Sequence, residues 1–278
     1  MTVNSLQELY NAVDNGQVFR RFVSKDTQTP DTNGTPMAQA NVVGMPPVSG
    51  TKSTAEAPTR TTTGAINFPT PQGSNNSFLL RVQTGLSAST EVLMLIDILS
   101  WQGGLSGTVT GEQTTNLPTA ALTRYTNGEN VWLGLICWSA TGSTAVNVTA
   151  RYTNQAGTGS RNTTSVDFWG GGLGARSGAP STNQVQWLPL QSGDYGVRSV
   201  EGVTISASTL TAGNFGVFLC KPLFISNSIT ANTQQEIDQI IQTSSLPEIQ
   251  DEAYLSTIIG FSTAAGTVVN GYIDILQV

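Results

Sequence analysis

The chain has 278 residues, enough for one large β-domain or two ordinary domains, and its formal net charge is −6. Only 11% of the residues are charged, against roughly 25% in typical soluble domains, so Gly, Thr, Ser and Asn supply most of the polarity. This acidic, charge-poor composition argues against a nucleic-acid-binding protein, which needs a basic stripe, and is typical of proteins that work inside an assembly or outside the cell.

The N-terminal segment is predicted to be a short helix. Ser5 and Glu8 have the spacing of a capping box, and Gly16 can end the helix. Its predicted apolar face consists of Leu6, Leu9, Tyr10 and Val13. Residues 18–23 are either a short strand or the docking end of this unit. The segment lacks the basic region and continuous apolar core of a signal peptide, so we expect the protein to be made and kept in the cytosol.

Residues 24–63 are rich in proline and glycine, and no periodic pattern of apolar residues extends over more than a few positions. A long irregular stretch is uncommon inside a compact domain. Two interpretations are open: a disordered linker, or an extended arm that becomes ordered on a neighbouring subunit. Scattered apolar residues favour the arm, and we predict that it forms an interface through Val42, Val43, Met45 and Val48.

Residues 64–226 are predicted to be strands separated by turn clusters such as TNGEN and QSGDYG. The candidate strands are SFLLRV, EVLMLIDIL, NVWLGLICW, VNVTARY, TSVDFW, VQWLPL, GVRSVEGVTIS and NFGVFLCKPLFI. The stretch 146–168 is predicted to be two strands joined by a loop. Apolar residues fall on every second position at 146–152 and again at 166–168, which is typical of strands with one buried face. The outward positions carry Thr, Ser and Asn where an ordinary enzyme would carry Lys and Glu.

Two candidate strands, EVLMLIDIL and NVWLGLICW, are apolar on both faces. One face of each must pack in the core, and the other must be covered by a second layer of the chain or by another subunit. Asp97 interrupts the first of these strands. Because an unpaired buried carboxylate is very costly, we expect Asp97 to meet an arginine or backbone donors. No apolar run approaches the length of a membrane span.

The C-terminal segment is predicted to be a helix followed by a β-hairpin. Thr233 and Glu236 form a second capping box, and Ile237, Ile240 and Ile241 supply the apolar stripe. The hairpin would join YLSTIIGF to VVNGYIDILQV and close an edge of the sheet.

The sequence therefore predicts a mainly β fold. We expect a jelly-roll-like β-sandwich with a short N-terminal helix, an extended N-terminal arm and one short C-terminal helix. The predicted units are residues 1–63 for the helix and arm, 64–231 for the sandwich, and 232–278 for the C-terminal helix and hairpin.

The sequence offers little for catalysis or metal binding. It contains no histidine, which removes the commonest general base and a preferred zinc ligand. Cys137 and Cys220 lie in separate apolar runs and are predicted to be buried thiols, with a disulfide between adjacent strands as the alternative. The glycine-rich residues 170–178 lack the context of a phosphate-binding loop and are interpreted as a surface loop. Gly103 and Gly104 are interpreted as a bend between strands.

A glycosidase would need two carboxylates held close together around a sugar. Five carboxylates lie in or beside the predicted strands: Asp97, Asp167, Asp194, Glu201 and Asp274. Each has a structural explanation that is stronger than a catalytic one; the carboxylate in SGDYG, for example, is expected to cap its own turn. Four tryptophans are expected to be core or interface anchors: Trp101, Trp132, Trp138 and Trp187. We predict no enzyme activity, no catalytic residues, no metal and no cofactor.

Three stretches resemble structural proteins in the virions of tailed bacteriophages: DILSWQGGLSGTVTGEQTTN, RYTNQAGTGSRNTTSV and LPLQSGDYGVRSVEGVTISASTLTAGNFGVFLCKPL. They cover roughly residues 91–223. The resemblance extends to the order of strand, turn and strand as well as to the residues of the motifs. The resemblance implies a β-rich particle protein, most plausibly a capsid cement or decoration protein, without catalytic residues to transfer. The TNQAG turn and the GDYGVRSV stretch would be framework positions.

The leading hypothesis is a non-enzymatic protein on the outer capsid surface that clamps neighbouring capsid subunits. Its expected partners are the major capsid protein and copies of itself in a homotrimer, with no nucleic acid and no membrane; assembly would take place in the host bacterial cytoplasm. The alternative is a tail, collar or fibre component with a receptor- or glycan-binding β-domain. The major shell protein and an enzyme rank behind these two.

Overall fold

The computed structural model describes residues 6–26, 36–38, 44–45, 50–73, 75–87, 91–115, 117, 122–169, 182–228, 233–240, 246–260 and 268–278. In chain order, the elements begin with helix α1 (Leu6–Asp14) and strands β1 (Val18–Asp26), β2 (Pro36–Ala38), β3 (Gly44–Met45), β4 (Ser77–Leu86), β5 (Glu91–Leu105), β6 (Gln113–Thr114), β7 (Trp132–Ser139) and β8 (Asn147–Asn154). They continue with β9 (Arg161–Asn162), β10 (Val166–Asp167), β11 (Val185–Trp187), β12 (Val197–Ile205), β13 (Asn214–Ser228), β14 (Gln234–Asp238), β15 (Glu248–Ile249), β16 (Leu255–Gly260) and β17 (Val268–Gln277).

The strands form three antiparallel sheets. Sheet A has the order β14-β4-β17-β1-β3, with β15 also on β4; sheet B has the order β11-β7-β13-β5-β16-β2; sheet C has the order β10-β8-β12-β6, with β9 also on β8. The mainly β fold class and the short N-terminal helix are confirmed. All eight predicted strands are present, and residues 18–23 belong to a strand, β1.

Sheet B is the central sheet, and one of its faces packs on both other sheets. Near the start of β5, Leu93 and Leu95 pack with residues of sheet A such as Leu79. Farther along β5, Leu99 belongs to a second core shared with residues of sheet C such as Val148. The long strands β5 and β13 therefore run through two sandwiches that share one sheet.

The opposite face of sheet B explains the strands that are apolar on both sides. On β7, Leu133 and Leu135 lie in the core shared with sheet C, while Ile136 and Trp138 lie in a third apolar cluster on the other face. Most of this second face is also buried within the single chain. Trp132 is the apolar residue of β7 that stays open to solvent, with 39% of its surface exposed.

Helix α1 forms where it was predicted but docks with a different face. It ends before Gly16, which adopts a φ of 70°. Leu9 and Ala12 pack on the end of sheet A, whereas Tyr10 and Val13 are exposed. Leu9 and Ala12 are three residues apart and therefore lie on one face of this nine-residue helix. That face packs on the edge of the sheet.

The predicted alternation in strand β8 is confirmed. Its buried positions are Val148, Ala150, Tyr152 and Asn154, and the positions between them are half-exposed. The half-exposed positions are Thr149, Arg151 and Thr153.

The C-terminal predictions were wrong for residues 234–238 and for the hairpin. Residues 234–238, where the helix was expected, form strand β14, which pairs with β4. Residues 239–240 are helical, and Ile241 lies outside the described residues. The expected hairpin does not form either, because β16 pairs with β5 in sheet B whereas β17 lies between β4 and β1 in sheet A. A partner distant in sequence overrides the local capping signal at these positions.

Several pieces of residues 24–63 pair with the β-domain of the same chain. Strand β2 pairs with β16, and β3 pairs with β1. Farther on, Glu56 exchanges two backbone hydrogen bonds with Trp101, 3.0 Å each. A Cβ atom at Gly103 would lie 1.9 Å from the carbonyl oxygen of Lys52, so the backbone of this segment passes directly against β5. Gly103 is thus a close-approach position within a strand, and the predicted bend was wrong.

The two cysteines are free and buried, as predicted. They lie on adjacent strands, but Cys137 belongs to the core facing sheet C and Cys220 to the cluster on the opposite face of sheet B. Side chains on opposite faces cannot form a disulfide without a change of register. Burial raises the pKa of Cys137 to about 12, so both packing and protonation keep this thiol unreactive.

Candidate interaction surface

Asp97 marks the junction between the two sandwiches. It follows Leu95, which packs against sheet A, and precedes Leu99, which packs against sheet C. Its carboxylate accepts two hydrogen bonds of 2.9 Å from the Arg124 guanidinium and one of 2.8 Å from the backbone N–H of Tyr254. The prediction that Asp97 meets an arginine or backbone donors is confirmed.

Arg124 ties further chain segments to the same junction. Its Nη2 also donates to the carbonyl oxygens of Pro58, at 3.1 Å, and Ile98, at 3.0 Å. Burial raises the pKa of Asp97 to about 6 even though Arg124 opposes the shift. The Asp97 carboxylate has no solvent-exposed side at which a ligand could bind, so its role is structural.

Asp194 lies at the end of sheet C, and Glu201 lies on the polar side of the same sheet. Asp194 accepts hydrogen bonds from Tyr152 Oη at 2.5 Å, Asn154 Nδ2 at 2.7 Å and Arg161 Nε at 2.9 Å. It therefore connects β8, β9 and the turn before β12, where we had expected it to cap only its own turn. Glu201 accepts bonds from the Thr153 hydroxyl at 2.6 Å and the Ser199 hydroxyl at 2.7 Å.

The two remaining carboxylates lie elsewhere. Asp274, on sheet A, accepts two hydrogen bonds of 2.8 Å from Arg20. Asp167 is exposed in β10. The five carboxylates are thus distributed over three sheets, and four of them are held by arginine or hydroxyl partners.

The predicted tryptophan anchors divide into two groups. Trp101 and Trp138 are buried in the core. Trp132 and Trp187 form a T-shaped pair on the second face of sheet B, with ring centroids 5.3 Å apart, and the Trp187 ring lies 5.5 Å from that of Phe218. We call Trp132 and Trp187 the Trp132 patch.

Ile225 is a second exposed apolar residue on the same face of sheet B as the Trp132 patch. It pairs with Met94, a member of the same cluster as Trp187, and half of its surface is exposed. Ile225 lies five positions along β13 from the buried Cys220, the partner of Trp132, which corresponds to about 17 Å. Aromatic anchors of this kind are enriched in protein interfaces.

Of the predicted arm residues, the structure describes Met45. It lies in β3 opposite Ser24, with 66% of its surface exposed. Val42, Val43 and Val48 lie outside the described residues, as does the glycine-rich stretch 170–178. The arm interface therefore stays a prediction.

Within the described ranges, no helix combines the length and apolarity needed to cross a membrane. No group of three acidic or cysteine side chains is placed to hold a metal ion in the same part of the chain.

No protein-family model matches the chain, and no curated protein matches its sequence. Among solved structures, the chain is similar to a protein chain in the structure of the infectious bursal disease virus Gt strain. The two chains have 9% sequence identity and a TM-score of 0.20, and the match covers 94% of this chain and 81% of the viral chain. The chain is also similar to the VP2 subviral particle of that virus, with 9% identity and a TM-score of 0.19 over 94% and 80% of the two chains. TM-scores this low carry no argument for a shared fold or function.

Proposed function

We propose that the chain is a non-enzymatic structural protein of a bacteriophage virion. It acts as a cement or decoration protein that binds the outer capsid surface and clamps neighbouring capsid subunits. Its partners are the major capsid protein and copies of itself in a homotrimer, without nucleic acid, membrane or cofactor. Assembly takes place in the host bacterial cytoplasm.

The Trp132 patch carries this proposal. Neither sheet A nor sheet C packs on that face of sheet B, and a partly exposed tryptophan pair beside a buried Phe218 is a suitable anchor for a protein partner. A partner that covers this pair and Ile225 would exclude water from apolar surface without burying an unpaired charge.

The charge-poor composition supports the same role. A surface of Thr and Ser can lie against a neighbouring protein at a small desolvation cost, because few charges lose their hydration. The same side chains keep the surface hydrated where nothing covers it. The resemblance of residues 91–223 to virion proteins gives the class of assembly.

Copy number in purified particles tests the capsid role. A cement protein should be present in proportion to the major capsid protein, which quantitative gel densitometry or mass spectrometry can measure. A handful of copies per particle would contradict the cement role and favour the tail, collar or fibre alternative. Sedimentation of the free protein should give the mass of a trimer, and a stable monomer would remove the trimer from the proposal.

The variant Trp132→Ala tests the surface directly. We expect it to fold and to bind capsids lacking the protein about thirtyfold or more weakly, since truncation of a central aromatic anchor costs at least ~2 kcal/mol. The matched control is Tyr195→Ala, which removes another exposed aromatic ring from a turn beside sheet C. Equal occupancy of both variants on the capsid would contradict a role for the Trp132 patch.

The arm needs a narrower test than its removal. Deleting residues 1–63 would also remove β1, which lies between β17 and β3 in sheet A. Replacing Val42, Val43, Met45 and Val48 together by serine leaves β1 in place. We expect this variant to fold and to attach more weakly, and unchanged attachment would exclude the arm from the interface.

A further inference from the structure

The outer face of sheet A carries three rows of side chains across its strands. Cross-strand register gives the rows Arg20–Asp274–Arg81–Asp238, Phe22–Tyr272–Gln83–Glu236 and Ser24–Asn270–Gly85–Gln234. The first row is ionic, the second combines aromatic rings with polar groups, and the third is neutral. Gly85 leaves a gap in the third row because it has no side chain.

A cavity of about 380 Å³ lies over this gap. One side of it is formed by the Phe22 and Tyr272 rings, whose centroids are 6.4 Å apart. Amide side chains form much of the remainder: Gln83, Gln234 and Asn270. Phe22 is 67% exposed, so one wall of the cavity is an open aromatic surface.

The charges beside the cavity are engaged in their own pairs. Arg20 binds Asp274 and lies over the Tyr272 ring, 3.7 Å from its centroid. Glu236 accepts a hydrogen bond of 3.3 Å from Tyr272 Oη and pairs with Arg81 at 3.3 Å. None of the described residues that line the cavity is charged. These pairs fix the tyrosine ring while leaving the cavity itself neutral.

The amides around the gap retain donor and acceptor capacity. Asn270 Oδ1 accepts a bond of 2.8 Å from Ser24, which leaves its NH₂ group to donate toward the cavity, and Gln83 contacts Gln234 at 3.4 Å through one atom of each amide. Ser87 adds a hydroxyl to the lining, and its Oγ accepts from the backbone N–H of Val268. The site thus combines an apolar ring face with neutral groups that both donate and accept.

We propose that this cavity binds a neutral saccharide of one or two sugar rings. A sugar has an apolar C–H face that can lie on the exposed Phe22 ring, beside Tyr272, and hydroxyl groups that donate and accept hydrogen bonds at once. A small cavity with an aromatic wall and a few convergent polar groups has the general form of a ligand site, at the lower end of the usual range of roughly 300–1,000 Å³. The proposal does not depend on a capsid role.

Gly85→Leu is the sharpest test, because it fills the cavity without straining the backbone. A Cβ atom at position 85 would meet only Asn270 O and Gln234 Cγ, both at 3.7 Å, which is ordinary contact distance. Phe22→Ala removes the open ring. The matched control is Tyr10→Ala, since Tyr10 is also 67% exposed but lies on α1.

The measurement is ligand-observed NMR of the full-length protein with glucose, galactose, mannose, N-acetylglucosamine and their disaccharides. We expect saturation transfer from the wild type and the control to at least one of these sugars, and a loss of affinity of about tenfold or more for Gly85→Leu and Phe22→Ala. Thermal unfolding of each variant checks that it folds.

Three outcomes would overturn the proposal. The first is no transfer to any neutral sugar; the second is binding of N-acetylneuraminic acid in preference to the neutral probes. The third is a change in oligomeric state of Gly85→Leu without a change in sugar binding, which would assign the cavity to a contact between copies of the chain. Capsid attachment of Trp132→Ala is measured separately, so failure of either proposal leaves the other standing.

Discussion

Asp97 and Asp194 are both almost closed off from solvent, yet their surroundings shift their acidities in opposite directions. Burial raises the pKa of Asp97 to about 6, and the Arg124 guanidinium offsets only part of this cost. Burial also opposes ionisation of Asp194, but hydrogen bonds from Tyr152, Arg161 and Asn154 outweigh it and lower its pKa.

Each carboxylate accepts three hydrogen bonds, so the two opposite pKa shifts come from the positions of the carboxylates in the fold. Asp97 lies between two apolar cores in the middle of sheet B, where water cannot supplement its partners. Asp194 lies at the end of sheet C, and its Arg161 partner reaches solvent. A buried ion pair at a junction of cores contributes specificity of packing more than stability, whereas a hydrogen-bonded carboxylate near the surface stabilises the fold outright.

The largest effect should come from Arg124→Met, which leaves the Asp97 carboxylate buried without its cation. We expect a loss of ~3–5 kcal/mol in the free energy of unfolding, measured by denaturant titration, because the residual charge is uncompensated. The double variant Arg124→Met with Asp97→Leu should recover part of that loss. If the single variant is as stable as the wild type, the junction is not held by this pair.

A smaller effect is expected for Asp194→Ala. The change leaves the Tyr152 hydroxyl and the Asn154 amide without their acceptor, which should cost ~1–3 kcal/mol. Asp167→Ala, in the exposed strand β10, is the matched control and should change stability by less than ~0.5 kcal/mol. Equal losses from the two variants would show that the hydrogen bonds of Asp194 contribute nothing.

The two carboxylates should contribute slopes of opposite sign to the dependence of the free energy of unfolding on pH. Between pH ~4 and ~6, native Asp97 binds more protons than it does in the unfolded chain, so its contribution lowers the free energy of unfolding as pH rises, by at most ~1.4 kcal/mol per pH unit. Asp194, with a lowered pKa, contributes stability above pH ~4 that is lost as pH falls. Asp97→Asn should remove the first slope and Asp194→Asn the second, in unfolding curves collected from pH ~6 down to pH ~2. An unchanged slope in either variant would contradict its assignment.

The smallest effect is expected from Arg151→Met, on the outer side of sheet C. Arg151 and Glu112 form a two-bond pair at 2.7 and 2.8 Å, similar in geometry to the pair at Asp97, but both side chains reach solvent. We expect no resolvable shift of the unfolding midpoint in high salt and only a slight one in low salt. A loss as large as that of Arg124→Met would show that burial does not distinguish the two pairs.

Local pattern was sufficient to predict much of the fold. The alternation from Val146 to Tyr152 predicts a strand with one buried face, and β8 has that face. The cost of burying a lone carboxylate predicts a partner for Asp97, and Arg124 provides it. The first prediction depends on the pattern of a few neighbouring residues, and the second depends on the energetic cost of burying an unpaired charge.

The misassigned elements depend on partners that are distant in sequence. The capping box at Thr233 and Glu236 is a genuine helix signal, but pairing with β4 places these residues in or beside a strand. The aromatic and amide residues of the sheet A cavity were likewise missed, because Phe22 and Tyr272 are separated by most of the chain and meet only through the register of β1 and β17. No local sequence pattern predicts that these two residues lie in contact.

The sharing of sheet B by two sandwiches has a mechanical consequence. Strands β5 and β13 are each 15 residues long, or about 50 Å, and they pass from one sandwich into the other. A tensile force that separates the two halves would act along covalent backbone, and rupture would have to shear a whole ladder of hydrogen bonds at once. The halves of this molecule should therefore resist stretching far better than two domains joined by a docked interface.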